Sequence, residues 1–517
     1  MMKRTYERCE CPDEEIYVSE NDGYYNLYKK EKYFDENAIK NEPSKKSVPD
    51  SEGIAKELPV MIWGGHDTVI AAYKYAWKLA FEHVKFPTEE NGFKRSYIDT
   101  SFNMSTFMGD SSAMMEFTKY SNHLFDLRGT LDNFYGKQHL DGFICREIRG
   151  DNGNDRFHRF DPVSVGPVWF ALTEWDLYEF NGDKERLEKV FPPLMGLHRW
   201  LKKYRTNPDG SYWYTGLSST MDNQTRVPEG FSLRVDNAGM SWLDANLNLL
   251  LDADALISMA EVLGRESEVG WLKEEREFLL NYIVEKHWDK KRGFFYDVNA
   301  DGSFNDCKSI GAFWALHVKG MPKYIVEELV RHLMNESEFN RLNPIPTISA
   351  DSAGYSPNGL YWRGGVWACT NYMTMRGLIK QGYHRCAYEL AKRHNDCVVG
   401  MFEKTGTLWE CYAPDEMELS RPSAPEFVGW TALSVISDVF EFVFGITCDP
   451  LQGRITWHVE LLDEHGIKKL PFGNRLIDLR CEKRNSAEEE PIIEADGVNA
   501  EIVVFWNGGK NKKIIKL

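Results

Sequence analysis

Residues 239–286 read GMSWLDANLNLLLDADALISMAEVLGRESEVGWLKEEREFLLNYIVEK, two stretches of helical apolar spacing joined by a short polar connection. The connections on either side of this pair are long and rich in Gly, aromatic and acidic residues. Short links alternating with long ones are what helical hairpins with functional loops on one face would give. The same spacing recurs along the chain, at 66–84, 109–126, 131–139, 163–180, 187–205, 239–263, 267–286, 308–318, 322–334, 366–382, 384–402 and 427–445. The spacing therefore predicts twelve helices. Beyond residue 450 the texture changes: RITWHVELL, LIDLRCEKR and AEIVVFWNG alternate in the manner of short strands between turns. Residues 1–57 are polar and read as an arm laid over the surface. The expected organisation is an arm over 1–57, a helical domain over 58–448 and a small β-rich unit over 449–517.

Composition narrows the function. With 62 basic against 79 acidic residues, the formal charge of −17 repels phosphate backbones and argues against nucleic acid. No run of ~18 apolar residues is present to cross a membrane. The N-terminus lacks the apolar core of a secretory signal, so a cytoplasmic location is expected. The 10 cysteines are irregularly spaced, and the Cys9/Cys11 pair has no partner pair to make a metal site. No metal and no organic cofactor is expected, although the acidic loop from Asp297 to Asp301 could hold a structural cation. Aromatic residues make up 13 % of the chain and many lie in Gly-rich loops, where they suit the apolar faces of sugar rings. The signatures of zinc proteases, phosphate-binding loops and nucleophile elbows are absent. A small-molecule carbohydrate is the expected partner, and a homo-oligomer is left open.

Four loops carry the chemistry. Met221-Asp222-Asn223-Gln224-Thr225-Arg226 resembles the M-D-N-S-P-R loop of glycoside hydrolase family 63 and its mannosylglycerate-hydrolase-like relatives. Leu408-Trp409-Glu410-Cys411-Tyr412-Ala413-Pro414 is similar to that family's W-E-N-Y-N-P loop. Tyr361-Trp362-Arg363-Gly364-Gly365-Val366-Trp367, continuing to Asn371-Tyr372, resembles the segment that lines the sugar pocket. Phe427-Val428-Gly429-Trp430 resembles a helix start beside it. The likeness runs over roughly 95–480, with trehalases more distant. It implies an all-α fold, an (α/α)6 barrel carrying the polar arm and the small C-terminal β-rich unit. It places the general acid on Asp222 and the general base on Glu410. Asp110, Phe107, Tyr214, Asn223, Arg226, Tyr361, Trp362, Arg363, Trp367, Trp409 and Trp430 become the candidate sugar contacts. The chain departs from the pattern at Gly109, where the family usually has Trp, at Gln224-Thr225, and at Cys411 and Ala413.

Cleaving a glycosidic bond needs one proton for the leaving oxygen and one nucleophile on the opposite face, so two carboxyl groups suffice. The expected activity is that of an exo-acting, inverting α-glycosidase on an α-glucoside or α-mannoside, a small oligosaccharide or glycosyl-glycerate. Two alternatives use the same scaffold. A sugar-binding protein would keep the tryptophans and lose one carboxylate, and a phosphorolytic enzyme would replace Glu410 by a basic cluster. Among the candidates, Asp222 also suits an N-cap or turn, Asp110 a helix cap, and Arg363 a structural salt bridge.

Overall fold

The computed structural model describes residues 6–9, 16–19, 26–100, 104–426 and 429–516. Helices dominate from residue 67 to 443, and each predicted helical segment corresponds to a helical element. Those that are buried on most sides form an inner layer. Every residue of Met108–Thr118 is buried, and Leu243–Leu263 is buried around its whole circumference over most of its length. Phe170–Asn181, Ile310–His317, Ala368–Lys380 and the pair Thr431–Val435 and Asp438–Val443 complete this layer. Contacts run from Met108–Thr118 to Phe170–Asn181, then to Leu243–Leu263, Ile310–His317, Ala368–Lys380 and Thr431–Val435, which returns to Met108–Thr118.

Helices with a single apolar stripe pack outside these. Lys184–Tyr204 exposes Lys184, Glu185, Glu188, Lys202 and Lys203 while burying Leu187, Val190, Phe191, Leu194 and Leu197. Asp67–Glu82, Gly129–Gly136, Gly270–Tyr282, Lys323–Leu333 and His384–Thr405 lie in the same outer position against inner neighbours.

Several expectations shift. Residues 163–169 stay out of their helix, because Pro167 follows Gly166 at φ 110 and a helix cannot begin before that bend. Residues 310–317 wind as a 3₁₀ helix, and 431–443 as a 3₁₀ turn followed by wider π-type winding. Phe427 and Val428 of the predicted helix start lie outside the described residues, as does Cys11.

The N-terminal region is more than a surface arm. Three short antiparallel strands, Tyr6–Cys9, Ile16–Ser19 and Asn26–Lys29, precede a segment that inserts Tyr33 and Ile39 into the core. The buried Asn37 donates to the Tyr135 carbonyl at 2.9 Å and to Gln138 at 3.0 Å. Asp50 caps the helix Ser51–Glu57 by accepting from the Gly53 N–H.

The C-terminal strands form two four-stranded sheets. One contains the parallel pair Arg454–Val459 and Glu501–Trp506, flanked by Ile446–Asp449 and Asn511–Lys516. The other is antiparallel, and its edge strand is Val60–Trp63, from ahead of the helices, paired with His465–Phe472.

Candidate active site

Five inner segments start immediately after an aromatic residue: Phe107, Trp169, Trp242, Trp367 and Trp430. The loops that lead into these starts enclose a cavity of about 270 Å³. Asp110, Glu147, Asp222 and Glu410 line it together with Arg146, Arg156 and Arg234, and Phe107, Phe157, Tyr361, Trp362 and Trp430 supply its aromatic walls. Asp222 and Glu410, 188 positions apart in sequence, thus face one space.

Three local structures place the carboxyl groups. Strand Ser105–Phe107 pairs with Glu147–Arg149, Phe107 opposite Glu147, and the Met108 N–H donates to the Arg146 carbonyl at 2.7 Å. This brings Asp110, in the first helical turn, beside Arg146 and Glu147. Burial raises the Asp110 carboxyl to about 8, with Glu410 and Glu147 pushing the same way and Arg146 opposing. Asp110 is therefore largely protonated at neutral pH and can donate a hydrogen bond.

Asp222 sits on a loop folded tightly on itself. Ser218 Oγ accepts from the Thr215 N–H, the Ser219 N–H donates to the Thr215 carbonyl, and the Leu217 N–H donates to the Arg234 carbonyl. Thr220 just before it has φ 71, an unfavourable conformation for a β-branched residue. Burial raises the Asp222 carboxyl to about 6, opposed by Arg146 and by Arg234, whose Nη2 lies 3.2 Å from Oδ2.

Glu410 is 6 % exposed and held at both oxygens: the Tyr361 hydroxyl donates to Oε1 at 3.2 Å and the Ala424 N–H to Oε2 at 3.1 Å. Trp430 Nε1 donates to the Glu410 carbonyl. Burial raises its pKa, these two hydrogen bonds lower it, and the charge of Asp222 raises it again.

Asn223 joins the two halves of the site. Its Nδ2 donates to the Leu360 carbonyl at 3.1 Å and its Oδ1 accepts from the Trp362 N–H at 3.0 Å. Leu360 and Tyr361 between them have φ 36 and 66. The clamp thus holds a strained turn that aims Tyr361 at Glu410.

The remaining candidates do not line the cavity. Arg226 is 2 % exposed and makes bidentate bonds to Asp244 and Asp297 at 2.7–2.8 Å, so its guanidinium is fully occupied away from the cavity. The same pairing takes up Asp297 of the acidic loop. The Tyr214 hydroxyl donates to Asn248 and accepts from the Val168 N–H inside the protein. Trp367 stacks flat against Trp362, ring centroids 3.7 Å apart, and backs that wall without lining the cavity. Arg363 Nε donates to the Gly354 carbonyl, neither an ion pair nor a cavity contact. Trp409 is tied to Thr405 through Nε1.

Arg146, Glu147, Arg156, Phe157, Leu217, Thr220 and Arg234 line the cavity and were not singled out from the sequence. The first two belong to the loop DGFICREIRG, whose adjacent opposite charges inside a Gly- and aromatic-bearing loop were the available signal.

No helix among the described residues is long and apolar enough to cross a membrane. The sequence profile of the mannosylglycerate hydrolase MGH1-like glycoside hydrolase domain matches residues 161–431, more than half of the chain and the stretch that carries both Asp222 and Glu410. An uncharacterized protein of Borreliella burgdorferi is 24 % identical over 380 residues, 71 % of this chain and 77 % of that protein. A probable mannosyl-oligosaccharide glucosidase of Schizosaccharomyces pombe is 25 % identical over 52 % of this chain, which spans only 33 % of its length. In fold, the chain is similar to the crystal structure of a family 63 mannosylglycerate hydrolase from Thermus thermophilus in complex with glucose. The TM-score is 0.55 at 19 % identity, covering 70 % of this chain and 99 % of that one. The chain belongs to the MGH1-like family of glycoside hydrolases, within the family 63 group, and is a glycoside hydrolase.

Proposed function

We propose that this enzyme is an exo-acting, inverting α-glycosidase in which Asp222 is the general acid and Glu410 the general base. The site stands at one mouth of an (α/α)6 barrel made by the inner and outer helical layers, with residues 58–448 as the catalytic domain. The observation that carries the reading is the pair of unlike carboxyl environments facing one cavity. Burial raises both carboxyl groups, but at Asp222 it is opposed chiefly by arginine charge, while Glu410 has both oxygens fixed by donors that favour its charged form, as a group that takes up a proton in place requires.

In the reaction, Asp222 passes its proton to the glycosidic oxygen as the bond to the anomeric carbon breaks. Glu410 takes a proton from the water that attacks the opposite face. Arg146 and Arg234 then stabilise the Asp222 carboxylate that remains. Asp110, protonated, donates to a glycone hydroxyl, and Trp362, Trp430 and Phe107 cover the ring's apolar faces. Arg156 and Arg234, 44 % and 62 % exposed in their side chains, stand at the cavity and favour an acidic leaving group. A glycosyl-glycerate or a small α-glucoside or α-mannoside is the substrate class. A carboxylate, Glu410, stands where a phosphorolytic enzyme would carry a basic cluster, which disfavours a phosphate in place of the base.

The test combines stereochemistry with two amide variants. An α-linked substrate should first release the β-anomer in a proton NMR time course. Asp222→Asn should lose roughly 10²–10⁴-fold on a disaccharide but much less on a 4-nitrophenyl glycoside, whose leaving group needs no proton, and Glu410→Gln should lose both. The rate should fall as pH rises through about 6, where Asp222 loses its proton. First release of the α-anomer would reject inversion, and a fully active Asp222→Asn would reject the acid assignment.

A further inference from the structure

A second, smaller cavity of about 20 Å³ adjoins the catalytic one and shares Thr220, Trp362 and Trp430 with it. Its remaining walls include the rings of Trp169, Trp314 and Pro167 and the side chains of Met221 and Cys369, so it is lined almost wholly by carbon and sulfur. Gly109, one residue before Asp110, forms its floor. A Cβ added there would sit 3.1 Å from Pro167 Cγ and 3.4 Å from Thr220 Oγ1. A space of this size holds about one water-sized group, and an apolar space of this kind tends to stay dry.

A pyranose ring fills a sugar pocket mostly with hydroxyls, each needing a partner. The one position at which a common hexose can present a bare methyl directly on the ring is the exocyclic carbon of a 6-deoxy sugar. A hydroxymethyl group pushed into the same space must leave water for walls whose exposed surface is almost wholly apolar, a loss that the unpartnered indole N–H of Trp169 offsets only in part. We infer that the Gly109 cavity is a methyl subsite and that the enzyme prefers 6-deoxy-α-hexosides to the corresponding hydroxymethyl sugars. This rests on the α-glycosidase reading above.

The experiment compares kcat/KM for 4-nitrophenyl α-D-glucopyranoside and α-D-mannopyranoside with that for their 6-deoxy counterparts. The 6-deoxy member should be cleaved roughly 10- to 100-fold better, the range that one group in an apolar pocket commands. Gly109→Ala narrows the space from a helical backbone position, with the Pro167 ring giving way by a few tenths of an ångström, and it should erase the preference by slowing the 6-deoxy substrate more than its parent. Equal or better cleavage of the hydroxymethyl sugars overturns the proposal. So does a preference for 2-acetamido-2-deoxy-α-glycosides, which would assign the cavity to an acetyl methyl. If no 4-nitrophenyl α-glycoside is cleaved at all, the hydrolytic reading fails instead. The subsite is then judged by calorimetric binding of 6-deoxy-D-glucose against D-glucose, where tighter binding of the former upholds it and weaker or equal binding rejects it. The same titration on Gly109→Ala keeps the assignment testable should that variant have little activity.

Discussion

Replacing Arg226 by methionine separates a structural guanidinium from a sugar contact. In the folded protein Arg226 bridges Asp244 and Asp297 through four hydrogen bonds of 2.7–2.8 Å, and all three side chains are 2–3 % exposed. Its removal leaves two carboxyl groups facing one another out of water. Each keeps a backbone donor, Ala245 N–H for Asp244 and Leu243 N–H for Asp297, so neither is stripped completely. Breaking a buried ion pair by deleting one partner costs about 3–5 kcal/mol. At 2–4 °C per kcal/mol for domains of 150–250 residues, and less for a longer chain, the expected fall in Tm is roughly 5–15 °C. Differential scanning calorimetry at neutral pH measures it, and KM determined at 20 °C should change by less than about threefold. Adding Asp244→Asn and Asp297→Asn should recover most of the lost Tm, because neutralising the site removes the stranded charge. A variant with wild-type Tm and a KM raised tenfold or more would refute this account and return Arg226 to the sugar pocket.

Asn223→Ala deletes two hydrogen bonds that hold the turn carrying Tyr361, so kcat should fall about tenfold with KM little changed. An unchanged kcat in steady-state assays would dismiss the clamp. Asp438 is fully buried, neither carboxyl oxygen has a protein partner, and burial raises its pKa well above the ordinary range. Its folded state holds the proton more tightly than the unfolded chain, so the cost of this group grows as pH rises above about 4. Asp438→Asn should match wild type in Tm near pH 4 and exceed it at pH 8. Equal or lower Tm at pH 8 would contradict this.

Much of the helical layout was legible because apolar residues recur at helical spacing in both layers while the loops between them lack that period. Helix boundaries slipped where a bend overrode periodicity, as at Gly166-Pro167. The N-terminal region misled because Tyr33 and Ile39 belong to no periodic apolar pattern and acquire meaning only from the surface they enter. Asp222 and Glu410 stood out through the residues around them, whereas Arg146 and Arg234 depend on which distant loop comes alongside. Arg226 shows the converse. Its place four residues after Asp222 suggested a shared task, but the side chain pairs with Asp244 and Asp297, and spacing along a loop carries no information about that.

The pairing of Val60–Trp63 with His465–Phe472 bears on how the protein is made. Roughly 400 residues separate the partners, and at about 5–20 residues per second the first strand waits some 20–80 s on the ribosome for the second. Throughout that interval Met61 and Trp63, buried in the finished molecule, have no sheet to join. The helical layers can assemble as they emerge, but their starting edge stays open until the chain is nearly complete. Cells overproducing this enzyme should therefore accumulate a chaperone-bound nascent species, one that a copy truncated before residue 465 would never leave.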